Sequence, residues 1–185
     1  VCGIAFWPVF THSPGHRQHL VSVPLSFHSA FQSRPTEMYR EDGSARFAFV
    51  TFVMMNDSFV PAALILAYGL RQQQCRADLV CMVTEEVTPR ARDVLSVLFD
   101  SVIDVPRFYV AHKETRRRED RPLWFTRLNS LRLGPDGDLG QRYEKVCILD
   151  ADVIPLRHFE HLFTLRAPAG VLNEQKAFCL NMDDK

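Results

Sequence analysis

Asp150 and Asp152, separated by Ala151 and introduced by the apolar Ile148 and Leu149, are the side chains of this 185-residue chain whose spacing points most directly to chemistry. A run of strand-forming hydrophobics delivers both carboxylates to the rim of a sheet. In an extended segment the side chains at i and i+2 point to the same side, so the two acids can converge on one cation. Paired carboxylates suit a hard divalent ion such as Mg2+ or Mn2+, and such an ion suits a diphosphate. The same tripeptide also reads as a strand-ending turn with solvated acids. The elements before it bear on that choice.

Residues 47–54, 79–83, 101–105 and 145–149 are β-rich apolar runs, and the first is long enough for a strand buried on both faces. Between the first two, Asn56-Asp57-Ser58 offers capping oxygens, and residues 59–74 carry apolar side chains at 59, 62, 63, 66, 67 and 70, the stripe of a core-facing helix. Thr88-Pro89 opens a second helix, with apolar residues at 91, 94, 95, 98 and 99. Strands alternating with helices in this rhythm predict an α/β fold with a mainly parallel sheet, which binds ligands at the carboxyl ends of its strands. Asp150 and Asp152 follow one such end, and Asn56-Asp57 follows another. The charge-dense stretch 113–121 reads as a solvated loop. A short helix over 123–133 carries Arg127 and Arg132, and the turn cluster 134–140 returns the chain to the strand before the acids. Residues 1–45 lack a sustained period and are expected to be an irregular extension, with 46–185 as the α/β domain. His12, His16 and His19 in that extension are interrupted by Pro14-Gly15 and read as chance histidines.

An apolar fraction of 46% and a charged fraction of 24% belong to a globular chain, with one domain and a real core. Lys plus Arg and Asp plus Glu balance at 22 each, so no global field favours nucleic acid or an anionic membrane. The five cysteines show no close paired spacing, and Cys81 and Cys147 fall inside strand-like runs as small hydrophobes. A reducing compartment, the cytoplasm, is the simplest expectation. No apolar stretch approaches the roughly 20 residues of a membrane span. The start Val1-Cys2-Gly3-Ile4 is a poor signal peptide and lacks an initiator Met, as expected of a chain cut from something longer.

Ordered signals over residues 47–165 resemble the glycogenin-like glycosyltransferases, family 8 of the sugar-nucleotide-dependent transferases. They are Phe49-Val50-Thr51 leading to Asn56-Asp57-Ser58-Phe59; Leu79-Val80 to Thr84; Phe99-Asp100 before Val102-Ile103-Asp104-Val105; Arg121-Pro122 with Thr126-Arg127-Leu128; and Tyr143-Glu144-Lys145-Val146 running into Leu149-Asp150-Ala151-Asp152, closed by His161-Leu162-Phe163. The resemblance implies a GT-A type nucleotide-diphospho-sugar transferase fold, a Rossmann-like parallel sheet flanked by helices and incomplete at its C-terminal end. It implies transfer of a hexose from a UDP-glucose or UDP-galactose-like donor, with retention of configuration, to a glycan, protein or lipid acceptor. Asp150 and Asp152 become ligands of Mn2+ or Mg2+, and Ala151 touches the nucleotide through its backbone. Asn56 contacts the nucleotide, Phe59 stacks on the uracil where the family often has Tyr, and Val53 and Met55 line the base and ribose pocket. Arg121 and Arg127 correspond to basic contacts with phosphate and sugar, with Arg127 where a Lys is common; Arg keeps phosphate binding through its planar fork.

Bond cleavage between a sugar and a diphosphate leaves negative charge on UDP, which a divalent cation and nearby guanidinium groups stabilise. No carboxylate is assigned as nucleophile. The family completes its metal site with a His from a His-x-x-Gly-x-x-Lys-Pro segment, and nothing after Asp152 matches it. His158 and His161 are either substitutes for that ligand or part of the element covering the sheet. Two other readings stand beside a full transferase. A remnant would bind the UDP-sugar without turnover. A haloacid-dehalogenase-like phosphatase would use the first Asp as nucleophile, but places its acids after the first strand of the domain.

Overall fold

The computed structural model describes residues 2–4, 37–109 and 121–170, with the side chains of 2–4 and 121–123 left out. The three histidines of the leading segment and most of the charged loop 113–121 lie outside the described residues. Five parallel strands form one sheet in the order β1-β5-β2-β3-β4: β1 (Cys2–Ile4), β2 (Phe47–Val53), β3 (Asp78–Val83), β4 (Ser101–Asp104) and β5 (Lys145–Ile148). Cys2–Ile4 belongs to the stretch expected to be irregular, and it lines the outer edge of β5. The α/β architecture with a parallel sheet is the one the strand-helix rhythm predicts.

All seven residues of β2 are buried, which explains an apolar run with no polar alternation. Their period of two sends Phe47, Phe49 and Val53 to one face, and Ala48, Val50 and Phe52 to the other. Two helices cover the first face. Helix α1 (Val60–Gln72) buries Val60, Ala63, Leu66, Ala67 and Leu70, the last four of which are positions of the apolar stripe. Helix α2 (Pro89–Leu95) buries Ala91 and Leu95, and its N-cap Thr88 accepts from the Ala91 amide. It ends earlier than its apolar spacing predicts, because the Ser96 hydroxyl bonds the Arg92 carbonyl and the next amides turn back three residues. Leu133 and Tyr143 close the second face.

Residues Arg121–Leu133, where the sequence suggests a short helix over 123–133, wind as a 3-10 helix. Side-chain donors satisfy carbonyls three residues back, Asn129 on Thr126 and Ser130 on Arg127, both at 2.8 Å, and this competes with the wider α-helical ladder. Asn129 also donates to the Pro106 carbonyl, and the Thr126 hydroxyl accepts from the Phe108 amide. The segment is thereby pinned to the exit of β4.

After β5 the chain returns across α1. A β-carbon on Gly69 would come within 2.8 Å of the Pro155 ring, so the closest approach of helix and return segment requires a residue without one. Farther along, the fully buried Glu160 carboxylate accepts the amides of Arg76 and of Ala77, the latter at 2.8 Å, and meets His158 Nε2 at 2.9 Å. Phe163 then stacks on Phe47 with centroids 4.9 Å apart. At the opposite end of the sheet, the 3-10 turn Asp57–Phe59 is tied to α2 by the Asp57 carboxylate, which takes both the Thr88 amide at 2.9 Å and its hydroxyl at 2.7 Å. Among the described residues, no helix is long and apolar enough to cross a membrane.

Gly69→Ala is expected to destabilise the protein by about 1–3 kcal/mol in urea unfolding, because a rigid proline ring cannot yield to the new methyl; an unchanged midpoint would disprove the contact. The Thr88 amide and hydroxyl hold the Asp57 carboxyl below the ordinary value of 3.8. Its folded pKa is thus lower than its unfolded one, so its stabilisation is complete above 3.8 and fades as pH falls below it. The advantage of the native chain over Asp57→Asn in denaturant melts is expected to be level at neutral pH and to shrink in acid. A constant difference across that range would contradict the clamp.

Candidate functional site

From β2 the chain steps outward to β3 and then β4, after which β5 returns to the other side of β2. The order therefore reverses between β2 and β5, where loops leaving adjacent parallel strands diverge and open a crevice at their carboxyl ends. One wall of that crevice is the loop after β2, residues 54–59. The other is the loop after β5, which begins with Leu149, whose amide still bonds Val50 of β2 at 2.9 Å, and continues into Asp150.

Strand β5 stops at Ile148, so the two acids do not lie on an extended segment as their spacing suggested. The Val153 amide bonds the Asp150 carbonyl at 3.1 Å and folds Asp150–Val153 into a turn. Asp152 is exposed on the turn, whereas the Asp150 side chain is 30% exposed and has Arg127 against Oδ1 at 2.5 Å. Burial pushes the Asp150 carboxyl above 3.8, the Arg127 charge pulls it down and Asp152 pushes it up again. A cation at this turn would relieve both unfavourable contributions. Two carboxylates on one turn form the hard oxygen set that Mg2+ or Mn2+ prefers, so the residues present fit such an ion. Among the described residues no third Asp, Glu, His or Cys ligand gathers with them; the one such group of three lies elsewhere. His158 belongs to the Glu160 cluster and His161 is buried in the return segment, so both serve the element covering the sheet.

Opposite the acids, Met55 takes a left-handed backbone with φ 73°, uncommon outside glycine. Its amide donates to the buried Thr84 hydroxyl at 3.2 Å, and the Thr84 amide bonds the Val53 carbonyl at 3.3 Å. Thr84, at the end of β3, thus holds the bend that aims the following loop. Asn56 is exposed and caps the Asp57–Phe59 turn with its side-chain oxygen, which accepts the Ser58 amide, so its amide nitrogen is the group of donor type. Phe59 is 52% exposed, a large ring with an open face at the rim. Val53 is different: its side chain is fully buried in the helix-side core and has no surface to offer a base. Ala151 likewise sinks its methyl into that core. Arg121 begins the 3-10 segment, and its side chain is outside the described residues.

The structure therefore gathers Asp150, Asp152 and Arg127 at one turn, with Met55, Asn56 and Phe59 on the loop across the switch. Sequence reading assigned no positioning role to Thr84, Thr126 or Asn129. A polar residue directly after an apolar strand marked the first. The other two offered only their ability to bond nearby carbonyls, a weak signal. A shallow cleft of about 510 Å3 also opens on the rim at the far ends of β3 and β4, lined by Glu85, Val105, Pro106, Arg107 and Tyr109. Arg107 is engaged there by Glu85 at 2.9 Å and Glu86 at 2.6 Å.

No known family model matches the chain. It is 32% identical over 129 residues to an uncharacterized protein of Acanthamoeba polyphaga mimivirus, a match covering 68% of this chain and 43% of that protein. Over 112 residues it is 32% identical to Glycogenin-1 of Caenorhabditis elegans, covering 59% of this chain and 24% of the relative. Human Glycogenin-2 is 33% identical over 119 residues, 63% of this chain and 22% of that protein. The matches thus span less than half the length of each of these curated relatives. With its parallel sheet and an acid pair at the switch between two strands, the chain is a relative of the glycogenin-like glycosyltransferases.

Proposed function

We propose that this chain is the nucleotide-sugar-binding part of a retaining hexosyltransferase, with a UDP-sugar laid across the crevice between β2 and β5. The observation that carries the reading is the meeting of Asp150, Asp152 and the Arg127 guanidinium at the switch point. In it, Asp150 and Asp152 hold Mn2+ or Mg2+ by their carboxylate oxygens, and the bound ion would supply Lewis-acid stabilisation to a departing diphosphate. Phe59 offers its open ring face to the uracil. The Asn56 amide nitrogen donates to the base or ribose. Val53 and Met55 contribute main-chain atoms, since Val53 has no exposed side chain, and Ala151 does the same from the opposite wall.

Arg127 has the most consequential part. Without ligand it satisfies the half-buried Asp150; once the diphosphate arrives, its planar fork can transfer to phosphate oxygens, and Asp150 is freed for the cation. Arg121 is assigned to the same phosphates or to the sugar. The donor is a UDP-glucose or UDP-galactose-like molecule, and the acceptor a glycan, protein or lipid. A second reading, binding of the UDP-sugar without turnover, draws on the grip of Arg127 on Asp150 together with the lack of a third ligand at the turn among the described residues.

Calorimetry is expected to show UDP binding that requires Mn2+, and Asp152→Asn is expected to weaken it at least tenfold; undiminished affinity in that variant would remove the site. Release of UDP from a UDP-hexose separates the transferase from the binding-only reading. Arg127→Gln is expected to act in opposite directions on the two ligands. Mn2+ alone should bind several-fold more tightly, because its competitor for Asp150 is gone, while UDP with Mn2+ binds more weakly. If both affinities move together, Arg127 does not alternate between the two partners.

A further inference from the structure

We propose a second metal site, for zinc, formed by Cys75, His158 and Glu160 at the end of the sheet opposite the acid pair. Cys75 stands just before β3, and Glu160 binds the amides of Arg76 and Ala77 on the same approach. Asp150, by contrast, follows the last residue of β5, and parallel strands put those positions at opposite ends of the sheet. One ligand atom from each of the three residues lies within 4.8 Å of the others, and His158 Nε2 is already 2.9 Å from Glu160 Oε2.

The set is one that zinc prefers. A thiolate, an imidazole and a carboxylate bind Zn2+ at about 2.0–2.3 Å in tetrahedral geometry, which places neighbouring ligand atoms about 3–4 Å apart. The histidine and glutamate are therefore at coordinating separation, and the thiol needs to close by roughly 1 Å at most. Manganese, which favours oxygen ligands, has no such affinity for a thiolate. The ligand set is sheltered, because Glu160 is fully buried and Cys75 is 8% exposed. The two amides on Oε1 fix the carboxylate and leave Oε2 facing His158.

One group opposes the ion: Arg76 Nε stands 3.6 Å from Glu160 Oε2. Its side chain is 36% exposed and can turn to solvent, so zinc replaces a cation that holds the buried carboxylate from a longer distance. On binding, the Cys75 thiol gives up its proton to solvent, His158 ligates as neutral imidazole, and water completes the shell. The bound ion would cross-link the return segment to the approach of β3.

The test uses the purified, tag-free chain, stripped with chelator and titrated with Co2+ as a spectroscopic stand-in for zinc. One equivalent should produce a thiolate-to-cobalt charge-transfer band, which added Zn2+ abolishes. The band should survive intact in the Asp150→Asn/Asp152→Asn double variant, so failure of the proposed sugar-nucleotide site and failure of this one are read separately. Cys75→Ser should lose the band, and His158→Gln, which can keep a hydrogen bond to Glu160, should lower Zn2+ affinity at least tenfold. Absence of the band in the native chain, its persistence in Cys75→Ser, or unchanged zinc affinity in His158→Gln would each overturn the proposal.

Discussion

A strand buried on both faces must have both of its edges hydrogen-bonded, and this requirement on β2 organises the molecule. Its seven buried residues, six of them apolar and the other Thr51, are shut off from water, and so are the amides and carbonyls between them. β3 satisfies one edge through six paired positions from Ala48 to Val53. The other edge waits for β5, which follows only after α2, β4 and the 3-10 segment. The reversal of strand order is thus a consequence of hydrogen-bond closure around β2. It creates a place on the rim where the loops after β2 and β5 part, and the sequence puts its two acids there.

Placing carboxylates at a closed parallel rim has an electrostatic cost. Asp150 is partly desolvated and sits beside a second acid, and both conditions disfavour its ionised form. The chain responds with Arg127, carried by a 3-10 segment whose own polar residues are spent on anchoring. Thr126 and Asn129 lock it to the exit of β4, so the guanidinium reaches the acid from a firm base. Arginine retains its charge at every relevant pH, and its fork suits phosphate as well as carboxylate. A positive group of this kind can exchange partners without moving its backbone. That property distinguishes a ligand-responsive ion pair from a merely structural one.

How much of this the sequence disclosed depends on the range of the interactions involved. The four main strands were legible to within a residue or so at each end; at 47–53, 79–83 and 146–148 this is because burial of every position calls for a nearly unbroken apolar run. The acids were legible as a pair for the same reason, a strand ending in charge. Their local geometry was not: one amide from Val153 to the Asp150 carbonyl converts an extended pair into a turn, and no periodicity records a single bond. Val53 illustrates the converse. The resemblance assigned it to the base and ribose pocket, but the alternation along β2 sends its side chain inward with Phe47 and Phe49, which leaves only its main chain for such a role. Arg127 could be placed near phosphate only through resemblance, since its meeting with Asp150 spans 23 residues of chain and depends on the clasp at Pro106. Contacts at that separation leave no local pattern.

The return segment joins the two ends of the sheet mechanically. Leaving the acid turn, it crosses α1 at Gly69, where Pro155 takes the space of a missing β-carbon, and reaches Glu160 at the opposite end of the sheet. A prolyl ring against a helix backbone and a buried carboxylate on two amides are both stiff restraints, and only a few residues separate each from the next. The turn bearing Asp150 and Asp152 is therefore held from behind as well as by Arg127 in front.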